Sequence, residues 1–249
     1  MGVIERTWTW LSTGAHWTGA DGVWQRLDQH LYLTAVSLLL SCAIALPVAV
    51  VLGHLGKGGA LAVNLSNAGR AVPTFAVLVL LLLSPLGTHG SWPTVIALVL
   101  FAIPPVLTNA YVGMRGVDRD MVEAARGMGM TGRQVVARVE LPLAFSLIMT
   151  GVRTAAVQIV ATATLAALAG GGGLGRIITA GFRLTDTAQV VAGALLVAAF
   201  ALLVEAVFVL LERLLDPVRR RARRIRGRAA GSDGPAAPAE SLPAVGTPA

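Results

Sequence analysis

Apolar residues in this chain come in long blocks, not in the alternating or one-faced patterns of a soluble fold. Blocks cover residues 31–53, 93–114, 143–169 and 188–211. Another ends near residue 86 and is cleanly apolar over 71–83; Asn64, Asn67 and Arg70 precede it, so its start is unmarked. Each block predicts a bilayer-crossing helix, because ~20 residues rising 1.5 Å apiece match the hydrocarbon core. The predicted fold class is an all-α polytopic membrane protein with about five transmembrane helices. Pro47 predicts a kink in the first span, and Pro104-Pro105 a break or kink in the third. Arg70 belongs near an interface, where its side chain can snorkel.

Between the third and fourth blocks the pattern reverses. Residues 118–142 read DRDMVEAARGMGMTGRQVVARVELP and are charged. Asp120 with Glu123 is a capping-box-like helix start, and Thr131 with Gln134 is a standard one. Gly127 and Gly129 between them stop a helix. The expectation is two short helices joined at a glycine corner. The first shows Met121, Val122, Ala125 and Met128 on one side, the second Val135, Val136 and Val139.

Composition agrees with the blocks. Of 249 residues, 55% are hydrophobic and 13% charged, against about 25% charged in soluble domains. Mean hydropathy is +0.72. The net charge of +7 owes much to a run of arginines over 219–228. That run follows a span within a few residues, so it is assigned to inner-leaflet lipid and not to nucleic acid. Residues 1–29 carry Trp8, Trp10, Trp17 and Trp24 without a signal-peptide pattern. They read as an interfacial segment or a loose leader. The domain expectation is therefore 1–29 interfacial, 30–212 transmembrane, and 213–249 a basic then disordered tail.

Arginine placement sets the topology. With the charged loop inside, the inner side holds Lys57, Arg70, Arg115, Arg119, Arg126, Arg133, Arg138, Arg213 and the 219–228 run. The outer side keeps Arg6, Arg26, Arg176 and Arg183. This is the positive-inside asymmetry, and it puts the N-terminus outside and the C-terminus in the cytoplasm.

The fourth span is the least lipid-like. Thr150, Thr154, Gln158 and Thr162 recur every fourth residue, with Arg153 beside them some ten residues past Pro142, about 15 Å of helix. An arginine at that depth costs roughly 2.5–3.5 kcal/mol on insertion scales and needs a partner or water. The stripe either lines a translocation path or gate, or bonds helices together. Glu205 in the fifth span is the candidate counter-charge, and Asn109 a candidate interhelical bond. The stretch Gly170–Gly175 lacks the Lys-Ser/Thr of a phosphate loop and reads as a flexible turn or a re-entrant segment over 170–187. Lone Cys42 and the scattered His16, His30, His54 and His89 suggest no disulfide and no metal cluster; the histidines are taken as structural or exposed. No catalytic constellation is visible, so an enzyme is not expected. A scaffold or secondary transporter is the rival from another class, although no paired repeat supports it.

The charged segment adds a resemblance. Glu123-Ala124-Ala125, three residues, Gly129, nine residues, Val139, one residue, Leu141-Pro142 resembles the EAA loop of ABC-importer permeases. The resemblance extends over about 31–217. Ala71-Val72-Pro73-Thr74-Phe75-Ala76, Pro104 to Asn109, and Gly151-Val152-Arg153-Thr154-Ala155-Ala156-Val157-Gln158 look like the osmoprotectant branch, the glycine betaine, carnitine and choline importers. It implies a MetI-like ABC type I transmembrane domain in a bacterial cell membrane, with the 118–142 loop docking as a cytoplasmic coupling helix. It also implies partners: ATPase subunits carrying the ATP and Mg, a second permease subunit, and an extracytoplasmic substrate-binding protein. No cofactor is implied in this chain. A permease for another solute, an amino acid or a sulfonate, remains the alternative within the same machinery.

Overall fold

The computed structural model describes residues 2–69, 71–169 and 171–216. Arg70, Gly170 and the basic tail with its 219–228 run lie outside the described residues.

The described chain is helical. The long helices are α2 (Val23–Leu55), α5 (Trp92–Arg115), α8 (Leu141–Ala166) and α10 (Thr187–Leu215). Shorter ones are α1 (Val3–Ser12), α3 (Gly59–Gly69), α4 (Thr74–Leu83), α6 (Arg119–Gly127), α7 (Gly132–Val135) and α9 (Gly175–Arg183). Four helices are long and apolar enough to cross a membrane, and the count becomes five if α3 and α4 form one broken span. Those two meet at 73°. Pro73, extended at the start of α4, accounts for the bend, since it cannot donate to a continuing helix.

Small residues set the centre. Ala45 and Ala49 of α2, Ala102 and Ala110 of α5, and Ala155, Ala156 and Ala163 of α8 are all fully buried. Small side chains let helix backbones approach closely where lipid offers no hydrophobic drive. In α5, 56% of the apolar window is buried, against 28% in α2 and 6% in α10, so α5 is the hub and α10 lies at the edge. Of the break or kink expected at Pro104-Pro105, the break is absent: α5 runs through both prolines, and both are buried. Packing against α2 and α8 outweighs the lost backbone bonds. The Asn109 amide donates to the Pro105 carbonyl at 2.8 Å, so it serves its own helix and not a neighbour.

Element ends shift from the sequence estimate. Helix α2 begins at Val23, ahead of the apolar block, and closes on Gly56 in the left-handed region (φ 70°). The N-terminal tryptophans fold locally. Trp17 donates to the Leu11 carbonyl, Trp10 stacks on His16, and Thr7 is buried against the start of α10. That segment is a packed helix, not a loose leader.

Candidate functional site

Helices α6 and α7 stand at the end of the bundle where α2 and α5 finish. The first is capped by Asp118, whose carboxylate accepts from the Asp120 amide at 2.9 Å, so the cap lies two residues before the predicted Asp120. The second has the predicted capping box: the Thr131 hydroxyl accepts from the Gln134 amide, and the Gln134 side chain accepts from the Thr131 amide. Gly129 turns the corner at φ +84°. Lys57, Arg115, Arg119, Arg126, Arg133, Arg138 and Arg213 share this end, while Arg6, Arg26, Arg176 and Arg183 lie at the other.

One side of this element is anchored and the other is bare. Val122, Ala125 and Val135 are buried with Met114, Val117 and Ala144, and Val136, Val139 and Leu141 pack around them. Glu123, Ala124 and Gly129 are exposed, and so are Met121 and Met128, at 48% and 77%. The methionines therefore leave the side on which Val122 and Ala125 sit. Pro142 is partly buried where the helix enters α8. Between α7 and α8 the helix does not stop. It passes through a π turn, Val136–Glu140, and becomes the fourth span. A π turn carries an extra residue, and such turns gather at functional sites.

Glu140, which nothing in the pattern singled out, is fully buried in that turn. Its Oε2 lies 2.7 Å from His54 Nδ1 at the end of α2, and its Oε1 lies 3.8 Å from Arg119 Nη1 at the start of α6. His54 is thus a hydrogen-bond partner of the charged element.

Along α8 the polar stripe divides. The Thr150 and Thr154 hydroxyls donate to the carbonyls four residues back, so neither bonds across a helix pair. The Gln158 Oε1 is buried without a hydrogen bond among the described residues, and Thr162 borders a small cavity against α4 and α5. Arg153 turns to α10. Its Nε is 3.5 Å from Glu205 Oε1, the expected partner, and its Nη1 is 3.8 Å from Glu212 Oε2. Glu212 was missed because the apolar block ends at 211, whereas the helix continues to Leu215. It also accepts from Ser146 Oγ at 2.8 Å.

The glycine-rich stretch at the opposite end is held, not loose. The Gly173 amide donates to Gln29 Oε1 and the Leu174 amide to His30 Nδ1. His30 is fully buried, and its Nε2 donates to the Val160 carbonyl at 3.1 Å; accepting at Nδ1 fixes that tautomer. Gly173 has φ +90°, and a Cβ there would lie 3.1 Å from His30 Nδ1. Helix α9 then folds back on α10.

A bundle of long apolar helices with a charged element packed at one end defines the class: an integral-membrane protein. The sequence pattern of the family described as binding-protein-dependent transport system inner membrane component matches residues 43–221. The chain belongs to that family. It is similar to the glycine betaine/carnitine/choline transport system permease protein OpuCB of Bacillus subtilis (strain 168), with 34% identity over 69% of this chain and 78% of that protein. It is similar to the carnitine transport permease protein OpuCB of Listeria monocytogenes, with 37% identity over 68% and 77%. Its fold matches a chain of the MetNI methionine ABC transporter in an inward-facing conformation, with TM-score 0.68 and 21% identity, covering 77% of this chain and 95% of that one.

Proposed function

We propose that the chain is the permease subunit of an ATP-driven importer for a quaternary-ammonium osmoprotectant such as glycine betaine, carnitine or choline. Residues 30–212 form its transmembrane domain, 1–29 an interfacial segment and 213–249 a basic tail on the cytoplasmic side. Multi-pass in a bacterial cell membrane, it starts outside and ends inside. The supporting observation is the anchored and bare sides of the 118–142 element. Val122, Ala125 and Val135 fasten it to the bundle, while Glu123, Ala124, Gly129 and the two exposed methionines remain for an ATPase subunit. Methionine is an adaptable contact residue, suited to a partner surface that moves. ATP and Mg act on that ATPase.

The same end of the bundle carries the arginines, which favours a cytoplasmic position. Substrate choice rests on the relatives' names. Aromatic residues are 5% of the chain, and the stacked pair Trp10–His16 lies in the N-terminal segment. An aromatic cage for a quaternary ammonium therefore belongs on the separate binding protein, with a second permease subunit completing the pathway. Thr150, Arg153, Thr154, Gln158 and Thr162 are assigned to that pathway or its gate.

Reconstitution with the ATPase and binding protein from neighbouring genes tests this. ATP-dependent uptake of labelled glycine betaine, carnitine or choline is expected. Uptake of an amino acid or sulfonate instead would transfer the chain to another solute, and uptake without an ATPase would end the importer reading.

A further inference from the structure

We propose that Glu140 is a positioning residue for transport: its buried carboxylate clasps α2 and α6 to the root of α8, so that displacement of α6 moves all three together. The inference rests on the importer reading for its transport measurement and on geometry for the rest.

A fully buried carboxylate is hard to explain by stability alone. Taking the charge out of water is costly, and apolar replacements of such pairs are often as stable. What distinguishes Glu140 is where its partners come from. His54 is in the last turn of α2, Arg119 is the first residue of α6, and Glu140 closes the π turn that feeds α8. One side chain thus joins both ends of the charged element to the first long span.

The clasp is tight on one side and open on the other. His54 is at hydrogen-bond distance, 2.7 Å. Arg119 Nη1 is at 3.8 Å, too far for a hydrogen bond, and both Glu140 Oε1 and Arg119 Nη2 are buried with no hydrogen bond among the described residues. A charge-assisted bond closes at about 2.8 Å. A shift of α6 by about 1 Å would therefore bring Nη1 into bonding distance and satisfy the orphaned Oε1, and an unsatisfied carboxylate oxygen at low dielectric favours that closure. The cluster has a second arrangement within reach of a push on α6.

Two measurements on the full chain test it. In a Cys42→Ala background, spin labels at Lys57 and Asp120 report the α2–α6 distance without any partner present. In the assembled importer, uptake and ATP hydrolysis are read in the same liposomes. Glu140→Gln keeps an acceptor for His54 but loses the charge; Arg119→Gln removes the other partner from a side chain already 39% exposed. Both are expected to broaden the distance distribution and to lower uptake per ATP hydrolysed about tenfold, within the ~5–150-fold span of coupling energies. A merely structural role would reduce the amount assembled and leave that ratio alone. An unchanged distribution in both variants, or an unchanged ratio in both, overturns the proposal. If Glu140→Gln does not fold, Arg119→Gln decides. Should the wild type show no ATP-driven uptake, the importer reading falls, and the distance measurement still judges the clasp.

Discussion

A Cβ placed on Gly151 would lie 2.8 Å from the Pro105 carbonyl oxygen and 2.7 Å from Asn109 Cβ. Helices α5 and α8 therefore touch backbone to backbone at the middle of the bundle, and nothing flexible can give way.

Gly151→Val is expected to destabilise the protein by about 1–3 kcal/mol, the usual cost of overpacking. Gly14→Ala is the control, because its Cβ would meet nothing within 4 Å. Thermal midpoints in detergent check the pair: a drop for the first and none for the second.

Gly129 poses the opposite case. Its surroundings are open, but its φ of +84° disfavours any other residue. Strain of about 1–3 kcal/mol is expected on substitution. Asn tolerates this region better than a β-branched residue, so the order of ATPase retention should be Gly, then Gly129→Asn, then Gly129→Val. Copurification of the ATPase measures it. Equal retention in all three would mean that the corner is not read by the partner.

Arg153 has two acids, so removing one should be mild. Glu205→Gln leaves Glu212, and Glu212→Gln leaves Glu205. The double variant strands the guanidinium at a cost near the ~2.5–3.5 kcal/mol insertion penalty. Membrane yield and uptake should fall far more than the sum of the single effects. An additive loss would show that the two carboxylates do not share the arginine.

Thr131→Ala removes half of the capping box, worth about 1 kcal/mol. Amide exchange at Gln134 should quicken about fivefold, with Glu123 and the helix before it unaffected. Hydrogen-exchange mass spectrometry on the 118–142 peptide reads this directly.

Features read correctly from the sequence were local ones. Thr131 and Gln134 are three residues apart, and the Glu123-to-Pro142 spacing is carried on one strip of chain. Hydropathy alone found the long helices, though not their ends: α2 starts in polar sequence at Val23 because its first turns are held by protein, through Gln29 and His30. Of the interactions between distant residues, Arg153–Glu205 was legible because both charges stand inside apolar blocks, and the others were not. His54 and Glu140 are 86 residues apart, and neither residue type is unusual where it stands. Glu212 hid behind the end of an apolar block. No break occurs at Pro104-Pro105 because a propensity for breaking acts on an isolated helix, whereas α5 is gripped on both sides.

The unbroken passage from Gly132 through the π turn to Ala166 gives a rod of 35 residues, about 50 Å at 1.5 Å per residue. Its close backbone contact with α5, at Gly151, falls near the midpoint. A stiff rod pinned there would tilt like a seesaw: displacing the charged tip would swing the far tip the opposite way by a comparable distance. One end of the bundle would narrow as the other widened, with no hinge needed inside the span.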